Sequence, residues 1–269
     1  MPGVHVNWIH AIHGVSRFQR FSRDSARIAR ALGITPTVLV VQNDSLAADI
    51  PHTHLRGSNR LREFSAWEEG LDHCLQSRPA SEWWIFSNDT FAHHRFFWGS
   101  LFVGMTMAFR RNRTRSEPLI IGDILPGNLI APGEEGYAST YFLIINRAAL
   151  ARLKHSFSVG APLHWLGQDD DLQLTSSSCP SHVASFLEAH LCNPCSPVAW
   201  RDARPLDGAN IAAVRFKAAA VLLEHALSYR AVNERIHLEP FIDRMSVGSL
   251  RILRGLEART TRLVQTLRP

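Results

Sequence analysis

The sequence contains no apolar run near the ~18–20 residues that a membrane-spanning helix requires. It also lacks a basic-then-apolar leader, because Asn7, His10 and His13 interrupt its first apolar stretch. A cytoplasmic location is the expectation from these two absences. Internal repeats and low-complexity tracts are missing, which excludes solenoid-like architectures. Cysteine is scarce: Cys74, Cys179, Cys192 and Cys195 are the only thiols. Without a secretory leader they read as reduced thiols rather than a disulfide framework. Zinc-finger helices, RNP-like aromatic strands and helix-turn-helix signatures are absent as well, so nucleic acid is not the expected partner.

What is present suits a folded enzyme-sized domain. The 269 residues are 45% hydrophobic and 20% charged, enough to bury one large α/β core. A net charge of +5 and a pI near 9.4 favour anionic partners such as nucleotides, phosphates or acidic lipid headgroups. Apolar and β-branched runs predict strands over 4–9, 37–41, 83–86, 120–121 and 140–145, and helical spacing predicts helices over 16–32, 63–75 and 147–153. Gly33 is a natural stop for the first helix. Strands alternating with helices indicate an α/β sheet with crossovers. Beyond a loop rich in Pro, Ser and Cys, helix dominates from Ala209 to His225. The expected division is a catalytic domain over 1–205 and a helical region over 206–269.

Ligands of such sheets sit outside the carboxyl ends of the strands. Here those ends carry Asn43, Asp44, Asn88 and Asp89. Asp89 suits a hard cation, Mg²⁺ or Mn²⁺, held by one or two carboxylates with waters and substrate phosphates; Asn-Asp-Thr is also an ordinary turn. Arg60 and Arg62 could reach a diphosphate through their guanidinium forks, and Glu63 suits a helix start. Trp67, Trp83 and Trp84 read as core because they lie in apolar periodic segments. His93 and His94 follow the Asp89 strand closely and read as candidate metal ligands or surface residues. A second set, Cys179, His182, Cys192 and Cys195, has two x₂ spacings and offers four ligands for a tetrahedral zinc.

Several segments taken in order resemble GT-A-type glycosyltransferases. Gly57-Ser-Asn-Arg-Leu-Arg-Glu-Phe-Ser-Ala-Trp-Glu-Glu-Gly70 leads to the strand Trp84-Ile-Phe-Ser-Asn-Asp-Thr90. Then come Tyr137-Ala-Ser-Thr-Tyr-Phe-Leu-Ile-Ile-Asn-Arg-Ala-Ala-Leu150 and Gly167-Gln-Asp-Asp-Asp-Leu172. Lys217-Ala-Ala-Ala-Val-Leu-Leu-Glu-His-Ala-Leu-Ser228 is similar to the carboxyl-terminal helix of rhamnan-synthesis-like, polysaccharide-assembling transferases. The resemblance implies a GT-A-like sheet, a nucleotide-sugar donor, a divalent cation and a glycan or lipid-linked acceptor. It implies Asp169 as the general base of an inverting transfer, Asp170 and Asp171 as its acidic neighbours, and Asn43, Asp44, Asn88, Asp89 and Arg62 on the donor side. Two residues depart from the family pattern: Thr90 replaces a second acid of the metal motif, and Gln168 replaces the acid before Asp169. Both departures suit the alternative of a sugar-nucleotide-binding pseudoenzyme; a basic nucleic-acid-binding module is the other alternative.

The end of the chain adds a further expectation. From Gly248 to Leu267, Leu250, Leu253, Leu256, Leu263 and Leu267 recur mostly at helical steps, among Arg251, Arg254, Arg259 and Arg262. Such a basic amphipathic segment suits either an anionic membrane surface or packing on the core.

Overall fold

A computed structural model describes residues 4–13, 15–43, 54–77, 81–91, 97–133, 136–168 and 172–242, with the backbone alone described for 15–20. Asp44, His93, His94, Asp169, Asp170, Asp171 and the segment from Gly248 lie outside the described residues.

Seven strands form one mixed sheet: β1 (Val4–Ile12), β2 (Ile34–Gln42), β3 (His54–Arg56), β4 (Trp83–Asn88), β5 (Leu119–Leu125), β6 (Tyr137–Asn146) and β7 (His237–Pro240). Their order is β3-β2-β1-β4-β6-β5-β7. All run parallel except β6, which is antiparallel to both β4 and β5. Helices α1 (Val15–Leu32), α2 (Glu63–Ser77), α3 (Phe102–Asn112), α4 (Arg147–Arg152), α5 (Ser181–Leu191) and α6 (Ile211–Asn233) complete the described body. The architecture is α/β, a sheet between two helical layers.

Strand alternation sorts the core into two faces. Val6, Trp8 and Ile12 of β1 join Phe21, Ile28 and Leu32 of α1 and Met105, Ala108 and Phe109 of α3. Ile9 and Ala11 join Trp67 and Leu71 of α2, Leu150 of α4 and Leu223 and Leu227 of α6. On the first face Trp8, Phe91 and Phe97 meet Phe142 with ring centroids 5.5–5.7 Å apart. Aromatic pairs of this kind add stability beyond their buried area. Trp67, Trp83 and Trp84 are buried, as expected of core residues.

Three sequence expectations change at this level. First, β1 runs three residues past Ile9, because Asn7 and His10 are themselves fully buried in the strand. Second, residues 206–242 share the core of the sheet: α6 packs on β6, and β7 pairs in parallel with β5. A division near residue 205 therefore does not separate two cores. Third, the four zinc candidates do not converge. Cys179 precedes α5 and Cys192 caps its other end, so a helix about 16 Å long lies between them. Cys179 contacts the Pro180 carbonyl, the His182 ring bonds the Leu129 carbonyl, and Cys195 is exposed.

Gly33 ends α1 with φ +69°, a left-handed conformation that costs glycine little.

Candidate functional site

Chain order reverses around β1. Successive strands extend from β1 to β2 and β3 on one side, and β4 then starts the other side. The carboxyl ends of β1 and β4 thus frame a topological switch point, where sheets of this class leave a crevice. Asp89 lies just past β4 at this place and is buried. Its Oδ2 accepts from the His13 backbone N–H at 3.2 Å, and its Oδ1 is 3.9 Å from His13 Nδ1. Asn88 has a local duty, its Oδ1 accepting from the Thr90 N–H and hydroxyl. Turn formation and a strand-end carboxylate therefore coexist in Ser-Asn-Asp-Thr.

The next strand end holds Asn43. Its N–H donates to the Ile12 carbonyl at 2.9 Å, and its Nδ2 to the Arg62 carbonyl at 2.7 Å. Asn43 Oδ1 and Arg62 Nε are buried with no hydrogen-bond partner among the described residues. Buried polar atoms are normally paired, so an orphan acceptor and an orphan donor at one strand end suit a polar ligand or water. Arg62 has φ +52°, and its guanidinium stacks 4.7 Å from the Phe216 ring centroid. Burial lowers its pKa and the Glu63 charge opposes that. Arg60, by contrast, is exposed and engages Ser58.

A carboxylate pair lies on the same face. Glu63, the first residue of α2, is 3.4 Å from Thr140 Oγ1; Glu224 of α6 accepts from the same hydroxyl at 3.1 Å and from the Thr140 N–H at 2.6 Å. Thr140 is available there because the β5/β6 register jumps, Gly122 pairing with Leu143 and Asp123 with Ser139. Burial pushes the Glu224 carboxyl up and the Glu63 charge adds to this, while Lys217 and the Thr140 bonds pull down. Neither Thr140 nor Glu224 carries a motif that marks it in the sequence. The signal was a lone Glu-His inside the apolar run from Ala218 to Leu227.

The Gly167–Leu172 motif is described only at its ends. Leu166 bridges Thr175, Gly167 N–H donates to the Leu174 carbonyl at 3.1 Å, and Arg215 Nη2 donates to the Gln173 carbonyl at 2.7 Å. Arg215 is thus the α6 anchor of this loop, and its neighbour Phe216 supports Arg62. One helix connects the acidic loop to the Asn43–Arg62 corner.

A single buried carboxylate fits Mg²⁺ or Mn²⁺ that takes its remaining ligands from water and a diphosphate. Among the described residues no three His, Cys, Asp or Glu side chains gather as a preformed metal site.

Behind the β1 and β4 strand ends, His10 stacks on Phe21 with centroids 3.6 Å apart and shares a 2.8 Å bond with Ser87 Oγ. Burial, reinforced by nearby His13, lowers its pKa to about 3. An unfolded His titrates near about 6.5. Native His10 therefore stays neutral where the unfolded chain takes up a proton. Its stabilising contribution is complete above about pH 6.5 and is lost as pH falls toward 3. For this group alone the unfolding constant should rise about tenfold per pH unit across that window. Urea unfolding at several pH values checks this: His10→Gln should lose about one proton from the acid slope. An unchanged slope would move the acid sensitivity to other groups.

Compared with known proteins, the chain matches no protein-family model, and no curated protein is significantly similar to it.

Proposed function

We propose that this chain is a nucleotide-sugar-dependent glycosyltransferase of the GT-A type, acting on a glycan or lipid-linked acceptor. The observation that carries the reading is Asp89, a buried carboxylate at the β1–β4 switch point, one strand end away from the orphaned Asn43 Oδ1 and Arg62 Nε. A sheet with one antiparallel strand among parallel neighbours supports it. So does the common helix behind the acidic loop and the Arg62 corner.

In this reading Asn43 and Asp44 hold the nucleoside, and Arg62 faces the diphosphate. A divalent cation beside Asp89 would stabilise charge on the departing diphosphate. Asp169 takes the proton of the acceptor hydroxyl as its oxygen bonds the anomeric carbon. The carbon–phosphate-oxygen bond breaks on the opposite side, and the configuration inverts. Such a base needs hydrogen-bond reach to the hydroxyl. Gln168 and the lone Asp89 favour one competing reading, a pseudoenzyme that binds sugar nucleotides without turnover, since fold never establishes activity. Among the described residues no helix is long and apolar enough to cross a membrane.

The test is a thermal-shift panel of nucleoside diphosphates and nucleotide sugars with and without Mn²⁺. A ligand of the native state raises the melting temperature, by about 2.7 kcal/mol of stability at a hundredfold excess over Kd. At least one diphosphate should do so, and more strongly with Mn²⁺. No shift from any member would remove the reading. Donor hydrolysis by the responsive nucleotide sugar separates transferase from pseudoenzyme.

A further inference from the structure

The two helical layers differ in charge. The eighteen residues of α1 include five arginines and one aspartate, and α3 adds two arginines and no carboxylate. On the other side of the sheet, the four carboxylates of α2 are offset by Arg147 and Arg152 of α4 and by Arg215, Lys217 and Arg230 of α6, so the basic excess is confined to the α1–α3 layer. The first layer is held as a unit. Arg27 stacks 4.5 Å from the Trp98 ring centroid and 5.3 Å from that of Phe102, and Arg110 Nη2 donates to the Ala31 carbonyl at the end of α1. Arg23, Arg27, Arg30 and Arg110 are all exposed.

Apolar surface interrupts this basic face. Val103 is 58% exposed and Met107 64% exposed, one turn apart on α3. No other two exposed large hydrophobics among the described residues share a helix at this spacing. Isolated exposed apolar side chains need no explanation, but a pair framed by arginines is a different surface. The end of the β7 segment packs against α3. A Cβ on Gly104 would lie 2.0 Å from the Phe241 carbonyl oxygen, so only glycine lets the strand end come this close to α3.

We infer that the α1–α3 face is a docking surface for an anionic lipid bilayer, with Val103 and Met107 entering the interface and the arginines meeting headgroup phosphates. Basic helical surfaces with apolar side chains bind anionic membranes through both terms, and salt weakens the electrostatic one. A nucleic acid would match the arginines but leave Val103 and Met107 without a role. The inference is independent of the donor site, although α1 and α3 both begin near the strand ends that hold Asp89. A membrane-docked molecule would keep that crevice beside the bilayer.

Co-sedimentation of the full chain with phosphatidylcholine vesicles, with and without phosphatidylserine, tests it. Binding should require phosphatidylserine and fall as salt rises. Each arginine near the surface is worth about fivefold in partitioning, so R23Q/R30Q should weaken binding by about 25-fold. R201Q/R204Q removes the same charge from an exposed loop elsewhere and should leave binding within about twofold, because screening limits distant charges. V103S/M107S should also weaken binding, with an unchanged melting temperature. Equal losses in the two arginine pairs would reduce the effect to net charge and overturn the inference. Unchanged binding in both R23Q/R30Q and V103S/M107S would overturn it too and leave residues 243–269 as the anchor. Salt-sensitive RNA binding that R23Q/R30Q abolishes, with no vesicle binding by the wild type, would assign the face to nucleic acid instead.

Discussion

Asp169→Asn is expected to lower sugar transfer by about 10²–10⁴-fold, the usual contribution of a positioned general base. Nucleoside-diphosphate affinity should stay within about threefold, because the substitution removes the proposed proton acceptor and leaves the Asn43–Arg62 corner intact. The residue follows Gly167 and Gln168, where the chain is tied by the Leu166–Thr175 bridge and by Arg215 on the Gln173 carbonyl. Asparagine preserves size and polarity, so loss of folding is not the expected route to inactivity. Initial rates and donor affinity measured on the same preparation separate the two effects. Full turnover in Asp169→Asn would remove the assignment and direct the same experiment to Asp170 and Asp171.

Asp89→Asn should weaken nucleoside-diphosphate binding in Mn²⁺ by about 10- to 100-fold, the range for losing a charged hydrogen-bonding partner. The choice of asparagine matters. Asp89 Oδ2 accepts from the His13 backbone N–H, and an amide oxygen can keep that bond while the charge is lost. A bare carboxylate and a diphosphate repel one another, so favourable contact between them requires a cation. Asp89→Asn therefore discriminates by sign. Weaker binding in Mn²⁺, with unchanged or tighter binding in chelator, fits a cation-bridged donor. Tighter binding in both conditions would mean that Asp89 opposes the diphosphate, which contradicts the assignment. Titration calorimetry with and without Mn²⁺ reads the result.

The elements legible in the sequence are those whose own side chains announce them. β1, β2, β4 and β6 are long apolar or β-branched runs, and α1, α2 and α4 repeat their buried positions at helical steps. Missed were β3, β7, α3 and α5. His54-Leu-Arg and His237-Leu-Glu-Pro hold little apolar surface, and they are strands because β2 and β5 present edges for them to pair with. α3 carries Gly104 and Thr106, poor helix formers, and is held by packing on α1 and the sheet.

The candidate site divides in the same way. Local pattern was enough to put polar residues at strand ends, and Asn43 and Asp89 do stand at the ends of β2 and β4. That Asp89 faces His13 across 76 positions, and that Glu63, Thr140 and Glu224 meet although 77 and 84 positions separate them, follows from strand order and from a register jump in β6. Likewise Cys179 with His182 and Cys192 with Cys195 each match a metal spacing in one dimension, and the rigid rise of α5 keeps Cys179 apart from Cys192 in three. Periodicity reports what each segment must bury, and that was enough for the α/β class and for polar residues at the strand ends. Which distant side chains share a site depends on how those buried faces pack, and only the tertiary structure decided that.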